Sequence, residues 1–247
     1  MKDNKKHKKA EYGILITGLI ILLAATFVTA LCAGQYSVSV PEVTKILASR
    51  FVNVTKTWSN TAEGVVFTLR LPRIIGAVLV GSALSLSGAA YQGVFKNPLV
   101  APDLLGVSSG ACVGASVAIL LHLNSFGVQA MAFVAGILAV GLTLFIPRLI
   151  KNTNMTMLVL SGIIVKGIMD SVMGIIKYVA DPETELQSIT YWQLGSLTKV
   201  LPKDLFTVGP VIVAASVIIF LLRWRINILS LGDREAKTLG VSVTVVR

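Results

Sequence analysis

Long uncharged stretches dominate the pattern of polar and apolar positions along the chain, and short charged segments separate them. Uncharged stretches run from Tyr12 to Pro41, from Ile74 to Phe95 and from Leu104 to Pro147. The second stretch has 22 residues, which as a helix would be about 33 Å long and would cross a bilayer core of about 30 Å. The pattern therefore predicts an all-α fold, a polytopic transmembrane helix bundle.

Six spans account for these stretches and for two later apolar segments that contain a few charges. We predict them at about 13–34, 69–95, 104–121, 128–148, 155–179 and 204–222. The 44 uncharged residues that start at Leu104 are long enough for two spans, and residues 122–127 divide them. The third span carries the spacing Gly106-x-x-x-Gly110-x-x-x-Gly114, a small-residue face that allows close packing of another helix.

The distribution of charge places the N-terminus inside the cell. Residues 1–12 form a basic cytoplasmic tail, residues 13–222 the membrane domain and residues 223–247 a second cytoplasmic segment. In this arrangement 13 of the 22 Lys and Arg residues lie inside and eight lie outside, as the positive-inside rule expects. The first apolar run exceeds the roughly 7–15 residues of a signal-peptide core. We therefore predict a multi-pass protein of the cytoplasmic membrane.

Composition agrees with this class and argues against nucleic acid as a partner. Hydrophobic residues make up 54% of the chain and charged residues 14%, whereas soluble domains contain about 25% charged residues. The net charge of +10 is spread over the tail and the short loops, and aromatic residues amount to only 7%. No stacking platform of aromatic and basic residues is present in the sequence, so we expect a lipid membrane and no nucleic acid.

The sequence contains no motif for a metal site or a catalytic centre. Its two cysteines, Cys32 and Cys112, and its two histidines, His7 and His122, are isolated from one another, so no metal and no cofactor is expected. The phosphate-binding pattern Gly-x-x-x-x-Gly-Lys-[Ser/Thr] does not occur. We do not expect an enzyme, and the energy for any transport would come from a separate partner or from an ion gradient.

A long ordered motif begins at Leu69. Leu-Arg-Leu-Pro-Arg leads into a Gly/Ala/Ser-rich span, and Gln-Gly-x-x-x-Asn-Pro-Leu-x-x-Pro-x-x-Leu-Gly-Val-Ser-Ser-Gly follows at residues 92–110. This motif resembles the FecCD-type permeases, the membrane subunits of ABC importers for iron–siderophore complexes, haem and cobalamin. The resemblance covers roughly residues 14–247. Family members carry further spans, so the chain resembles a permease truncated at its C-terminus, with six of roughly ten spans, and we do not expect it to transport alone.

The resemblance implies a function and a set of partners. The chain would be the membrane-spanning subunit of an ABC importer that translocates an iron–siderophore chelate across the cytoplasmic membrane, with haem or cobalamin as alternative cargoes. Two copies of an ATP-binding subunit, an extracytoplasmic substrate-binding protein and a second permease copy, identical or related, would complete the assembly. Outside the family, an ion-coupled secondary carrier and a membrane receptor that does not transport are the alternatives.

The resemblance also assigns roles at the two membrane surfaces. Arg70 and Arg73, at the outer mouth of the second span, would dock against glutamates of the binding protein, because a guanidinium binds a carboxylate through two hydrogen bonds. Snorkelling to lipid headgroups is the alternative for these arginines. The cytoplasmic gate would consist of residues from two inner loops, with ordinary loop packing as the alternative: Asn97, Leu99, Met155 and Thr156.

The segment after the sixth span resembles the family's coupling segment, in which two short helices dock on the ATPase. The residues that would carry this role are Leu231, Gly232, Asp233, Glu235, Ala236, Leu239 and Gly240. Gly232 and Gly240 would mark the bends. A loose amphipathic tail is the alternative interpretation of this segment.

Lys166 and Asp170 both lie in the middle of the fifth span and are four residues apart, on one helical face. A lone charge at the bilayer centre costs at least about 2.5–3.5 kcal/mol, and pairing at this spacing reduces the cost. The two residues either line an aqueous pathway and contact a charged chelate, or neutralise each other inside the bundle. The resemblance assigns them no role.

Overall fold

The computed structural model describes residues 2–152 and 154–240, so residues 241–247 of the predicted coupling segment lie outside the described part. The described part is all-helical and divides into two compact units, Met1–Val80 with Leu197–Ile212 and Gly81–Ser196 with Val213–Arg247. Its α-helices are α1 (Lys2–Cys32), α2 (Val40–Ala48), α3 (Asn60–Gly64), α4 (Leu71–Phe95), α5 (Val107–Leu120), α6 (Ser125–Leu149), α7 (Met155–Val179), α8 (Glu185–Leu194), α9 (Pro202–Leu231) and α10 (Asp233–Thr238).

Five helical segments of the described part are long and apolar enough to cross a membrane, which confirms the predicted polytopic all-α fold. They are Glu11–Cys32 of α1, the continuous run Asn60–Phe95, and helices α6, α7 and α9. In α1, in Asn60–Phe95 and in α9, only 6% of the most apolar 18-residue stretch is buried against the rest of the chain. Most of their apolar side chains therefore face away from the rest of this chain, as expected for surfaces that contact lipid or other membrane helices.

The third predicted span, 104–121, is shorter in the structure than the other five. Its helix, α5, has 14 residues, a length of about 21 Å. The reason is local: Pro102 begins a 3₁₀ turn that ends at Leu105, and Gly106 follows it with φ of +74°. A left-handed residue cannot continue a right-handed helix, so α5 begins only after the glycine.

Other elements also differ from the prediction, whereas α7 begins and ends at the predicted residues. The second membrane helix begins at α3 and continues through a π-helical turn, Val65–Arg70, into α4. Helix α9 extends to Leu231, so the predicted coupling segment begins inside a helix. The outer segment 180–203 contains a helix that the sequence did not indicate, α8.

The start of α8 is fixed by a carboxylate. Asp181 Oδ1 accepts hydrogen bonds from the Thr184 hydroxyl and from the N–H groups of Thr184 and Glu183, which lower the pKa of the Asp181 carboxyl. Glu185, the first residue of α8, accepts from the N–H of Asp181 and has its other oxygen 3.5 Å from His122 Nε2. These contacts connect α8 to the turn between α5 and α6.

Small residues bring α5, α6 and α7 of the second unit together. A Cβ at Gly110 would lie 2.5 Å from the Ala139 Cβ, and a Cβ at Gly114 would clash with the Met131 carbonyl of α6. A Cβ at Gly162 of α7 would overlap the Leu104 carbonyl oxygen. The backbones of these helices therefore approach closely at the glycines, in agreement with the prediction that the small-residue face of α5 packs closely against another helix.

Candidate functional site

Arg70, one of the two predicted docking arginines, is held inside the first unit. Its side chain is buried, with the residue only 8% exposed. Its Nη1 lies 2.7 Å from the Leu31 oxygen and 3.1 Å from the Cys32 oxygen, and its Nη2 donates to the Tyr36 oxygen. The Leu31 and Cys32 carbonyls lie at the C-terminal end of α1, beyond the last helical donors, where a cation is also favourable; Cys32 accepts a second bond from the Val38 N–H at 3.4 Å. Arg70 therefore ties the end of α1 to the start of α4.

A glycine in this loop is needed for the contact. Gly34 adopts φ of +150°, and a Cβ there would lie 2.5 Å from Arg70 Nη2. The loop thus folds around the guanidinium, and the donors of Arg70 are engaged with the chain's own backbone.

Arg73 has a different environment from Arg70. It is half-buried and lies beside an open cavity of about 500 Å³, whose lining includes Gln35, Tyr36, Arg70 and Arg73. The Nε of Arg73 is buried and has no hydrogen-bond partner among the described residues. A buried donor without a partner is costly, and an acceptor from outside the chain can reach only the part of Arg73 that lines the cavity. The docking hypothesis, which covered both arginines, therefore rests first on Arg73.

The structure brings the predicted gate residues of two loops into one region of the second unit. The Asn97 side-chain Oδ1 accepts a hydrogen bond from the Leu99 N–H at 2.9 Å, and the Asn97 backbone carbonyl accepts one from the Val100 N–H at 3.3 Å. This tight turn leaves Leu99 89% exposed. Met155, at the start of α7, packs against the buried cluster that contains Val100, and Thr156 next to it is exposed. The gating role itself stays a prediction.

The predicted coupling segment forms a compact bend at the end of α9. Ala236 of α10 and Leu229 of α9 are fully buried and form a cluster with Ile228, against which Val94 of α4 packs. The cluster packs α10 against the end of α9, and Val94 brings the last turn of α4 to the same cluster. That turn leads directly into the loop that contains Asn97 and Leu99, so the coupling segment packs near the stretch of backbone that carries part of the predicted gate.

The two glycines of this segment have the conformations that a bend requires. Gly232 adopts φ of +147° and Gly240 φ of +77°. Leu231 and Leu239 are 66% and 58% exposed, and Glu235 is exposed as well; the side chain of Asp233 lies outside the described part. The two leucines are thus not used in this chain's own packing, and the coupling role of the segment stays a prediction.

Lys166 pairs with Asp103 rather than with Asp170. The Lys166 Nζ lies 2.7 Å from Asp103 Oδ2, and the side chains are 46% and 42% exposed. Asp170 is exposed and has no hydrogen bond or ion pair within the described ranges. Sequence reasoning missed Asp103 as the partner because 63 residues separate it from Lys166. The usable signal was that Asp103 is the only charged residue between Lys96 and Arg148.

The turn that carries Asp103 is anchored on two helices. Thr143 of α6 is fully buried and donates to the Leu105 carbonyl at 3.0 Å, while Gly162 of α7 admits the Leu104 carbonyl. Lys166 lies about 16 Å along α7 from its first residue, so the turn reaches the middle of that helix. Irregular backbone at membrane depth is tolerated where it is buried in protein or lines a water-filled cavity.

Comparison with known proteins gives one family over most of the chain. The FecCD transport family matches residues 21–247. A molybdate import system permease protein of Haemophilus influenzae is 35% identical over 96% of this chain and 69% of its own length. A protein of Helicobacter pylori described as a probable iron chelatin transport system permease is 39% identical over 74% of this chain and 55% of its own length. The chain thus matches only part of the length of these relatives.

The fold has a counterpart among solved structures. An ABC transporter assigned to the metal-chelate type, in an inward-facing conformation, matches with a TM-score of 0.80 and 32% identity, over 95% of this chain and 70% of that one. Sequence and fold therefore agree on the same class of membrane protein.

Proposed function

The chain belongs to the FecCD transport family, a family of ABC transporter permeases, and from this premise we propose that it is the membrane-spanning subunit of an importer for a metal chelate. The match over residues 21–247 is the observation that carries the proposal. An iron–siderophore chelate is the proposed cargo, with haem or cobalamin as alternatives. The relative named for iron chelatin supports a chelate as cargo, whereas the relative named for molybdate makes oxyanion transport the outcome against which this proposal is tested.

The proposed assembly has partners on both sides of the membrane. Two copies of an ATP-binding subunit would supply the energy, because this sequence contains no phosphate-binding loop. A second permease copy would complete the pathway, and a substrate-binding protein would deliver the cargo to the outer surface. The excess of Lys and Arg in the assigned inner segments supports a cytoplasmic N-terminus.

The mechanism we propose connects the coupling segment to the gate through α4. Closure of the ATP-binding subunits would move α10, whose Ala236 packs with the cluster that Val94 contacts. Since Val94 lies three residues before Asn97, that movement would reach the loop that holds Asn97 and Leu99. Met155 and Thr156, at the start of α7, would form the other side of the gate.

Co-purification and uptake test this assignment. We expect the complete permease to co-purify with the ATP-binding protein encoded beside it and, in proteoliposomes, to take up a labelled iron–siderophore chelate. Haem and cobalamin serve as competing cargoes. Uptake of molybdate in preference to every chelate would overturn the cargo assignment, and failure to associate with any ATP-binding protein would contradict the function itself.

The two arginines are expected to respond differently to substitution. Arg70→Ala removes the guanidinium donors from the Leu31, Cys32 and Tyr36 carbonyls and leaves Cys32 with only the Val38 N–H, so we expect a loss of roughly 3 kcal/mol in the stability of the first unit. Arg73→Glu should leave stability nearly unchanged. It should weaken association with the binding protein at least tenfold, because the new carboxylate would face the carboxylate of a binding-protein glutamate. Thermal unfolding in detergent and surface plasmon resonance measure the two effects. Equal losses of stability, or unchanged affinity of the Arg73 variant at low salt, would contradict this division.

A further inference from the structure

Helix α7 has three distinct faces. Its buried face packs against the second unit and includes Ser161, Gly162, Val165, Met173 and Ile176. One exposed face is apolar and includes Ile164, Ile168 and Ile175. The other exposed face, which we call the polar face of α7, carries Lys166, Gly167, Asp170, Ser171 and Gly174, and Ile163 is exposed on it one turn before Gly167. In a membrane, the apolar exposed face is suited to lipid or other helices and the polar exposed face to a polar environment.

The polar face holds its charges at the centre of the helix. Gly167 is the middle residue of α7, which has 25 residues, and Lys166 and Asp170 lie within about 5 Å of it along the axis. The next charge on this side, Lys177, lies about 10 Å beyond Asp170 toward the end of the helix, and its Nζ bonds Gln193 Oε1. The charge balance at mid-depth is therefore set by residues close to Gly167.

That balance is negative. Lys166 is ion-paired with Asp103 at 2.7 Å, and Asp170 is an exposed carboxylate that interacts with Lys166 at longer range but makes no hydrogen bond or ion pair in the described part of the chain. An unpaired carboxylate at mid-membrane depth is strongly disfavoured against lipid, whereas the isoleucine face is not. The polar face is therefore the one suited to water. In a narrow path with low-dielectric walls, a fixed negative charge attracts cations and repels anions.

We propose that the polar face of α7 lines the translocation pathway and that Asp170 makes its middle selective for positive charge, so that the cargo is a neutral or cationic metal chelate rather than an oxyanion. The inference rests on the proposed function as a permease, and it goes further by naming the charge class of the cargo and the residue that selects it. Two permease copies would place two such carboxylates at the same level of the pathway.

Cysteine reporters on the polar face test the proposal without knowledge of the cargo. Gly167→Cys and Ser171→Cys are placed separately in the complete permease, whose native cysteines are replaced, in complex with its ATP-binding subunit. A Cβ at Gly167 meets nothing within 4 Å, so the substitution has room. Membrane-impermeant methanethiosulfonates, one cationic and one anionic, are the probes. We expect both reporters to react, and to react faster with the cationic reagent than the reagents' intrinsic rates predict.

Charge variants and a lipid-face control complete the experiment. Asp170→Asn should lower the cation-to-anion ratio at Gly167→Cys by about fivefold to tenfold, and Lys166→Met should raise it because Asp103 loses its counter-charge. Ile168→Cys, on the apolar face, should react with neither reagent. Reporters that are unreactive with both reagents, or a ratio that Asp170→Asn leaves unchanged, would overturn the proposal. Reactivity does not require transport, so failure of uptake alone would count against the proposed function and not against this inference.

Discussion

Replacement of Ala236 by aspartate is expected to abolish ATP-driven uptake by the assembled importer. Ala236 is fully buried in the cluster that joins α10 to α9 and to Val94 of α4. A carboxylate there would be buried without a partner, at a cost of several kcal/mol, so α10 would detach instead. Movement of the ATP-binding subunits would then no longer reach α4. We expect uptake to fall at least tenfold while ATP hydrolysis continues, no longer stimulated by loaded binding protein.

Ala236→Ser is the matched control, because it adds one oxygen to a small side chain in the same position. We expect its uptake to stay within a few-fold of the wild type. Uptake and hydrolysis are measured in the same proteoliposomes, and the amount of ATP-binding subunit that co-purifies is quantified for each variant. If the Ala236→Asp complex took up cargo at the wild-type rate, α10 would have no part in coupling.

Gly162→Val is expected to have the largest effect on stability. A Cβ at this position would overlap the Leu104 carbonyl oxygen, and a backbone oxygen cannot rotate away as a side chain can. We expect a cost of about 3 kcal/mol or more, at the upper end of values for overpacking. The turn Pro102–Leu105 would be displaced from α7, and the ion pair between Asp103 and Lys166 would break with it.

Gly174→Ala is the control for this substitution, because it changes a glycine of the same helix where a Cβ meets nothing within 4 Å. Alanine favours a helix over glycine by up to about 1 kcal/mol, so its stability should be equal or slightly higher. Thermal unfolding of the purified permease, followed by size-exclusion chromatography, measures both variants. A Gly162→Val protein as stable as Gly174→Ala would show that the turn does not pack on α7 as described.

The membrane helices were predictable because hydrophobic length is a local property of the sequence. For α7, the polar segments on either side, residues 152–154 before it and residues 181–183 after it, indicated both ends. The shortened α5 was harder, since an apolar run continues through Leu104 and Leu105 although Pro102 and Gly106 interrupt the helix. Here the backbone restrictions of Pro102 and Gly106 determined where the helix begins, although the apolar run starts earlier.

The partners of the polar residues could not be read from the sequence. Arg70 bonds backbone carbonyls 34 to 39 residues away, and every residue type offers such a carbonyl. Lys166 had a charged neighbour at helical spacing, Asp170, yet the structure pairs it with Asp103. The spacing rule describes neighbours on one helix. The partner of Lys166 depends instead on how the turn between α4 and α5 packs against α7.

The energy source of uptake tests the central assignment most directly. The complete permease is reconstituted in proteoliposomes with its ATP-binding subunit and binding protein, and uptake of the labelled chelate is followed with ATP, without ATP, and with ATP plus an ionophore. We predict uptake that requires ATP, survives the ionophore and disappears when the lysine of the partner's phosphate-binding loop is replaced. Uptake that proceeds without ATP and collapses with the ionophore would instead identify an ion-coupled carrier.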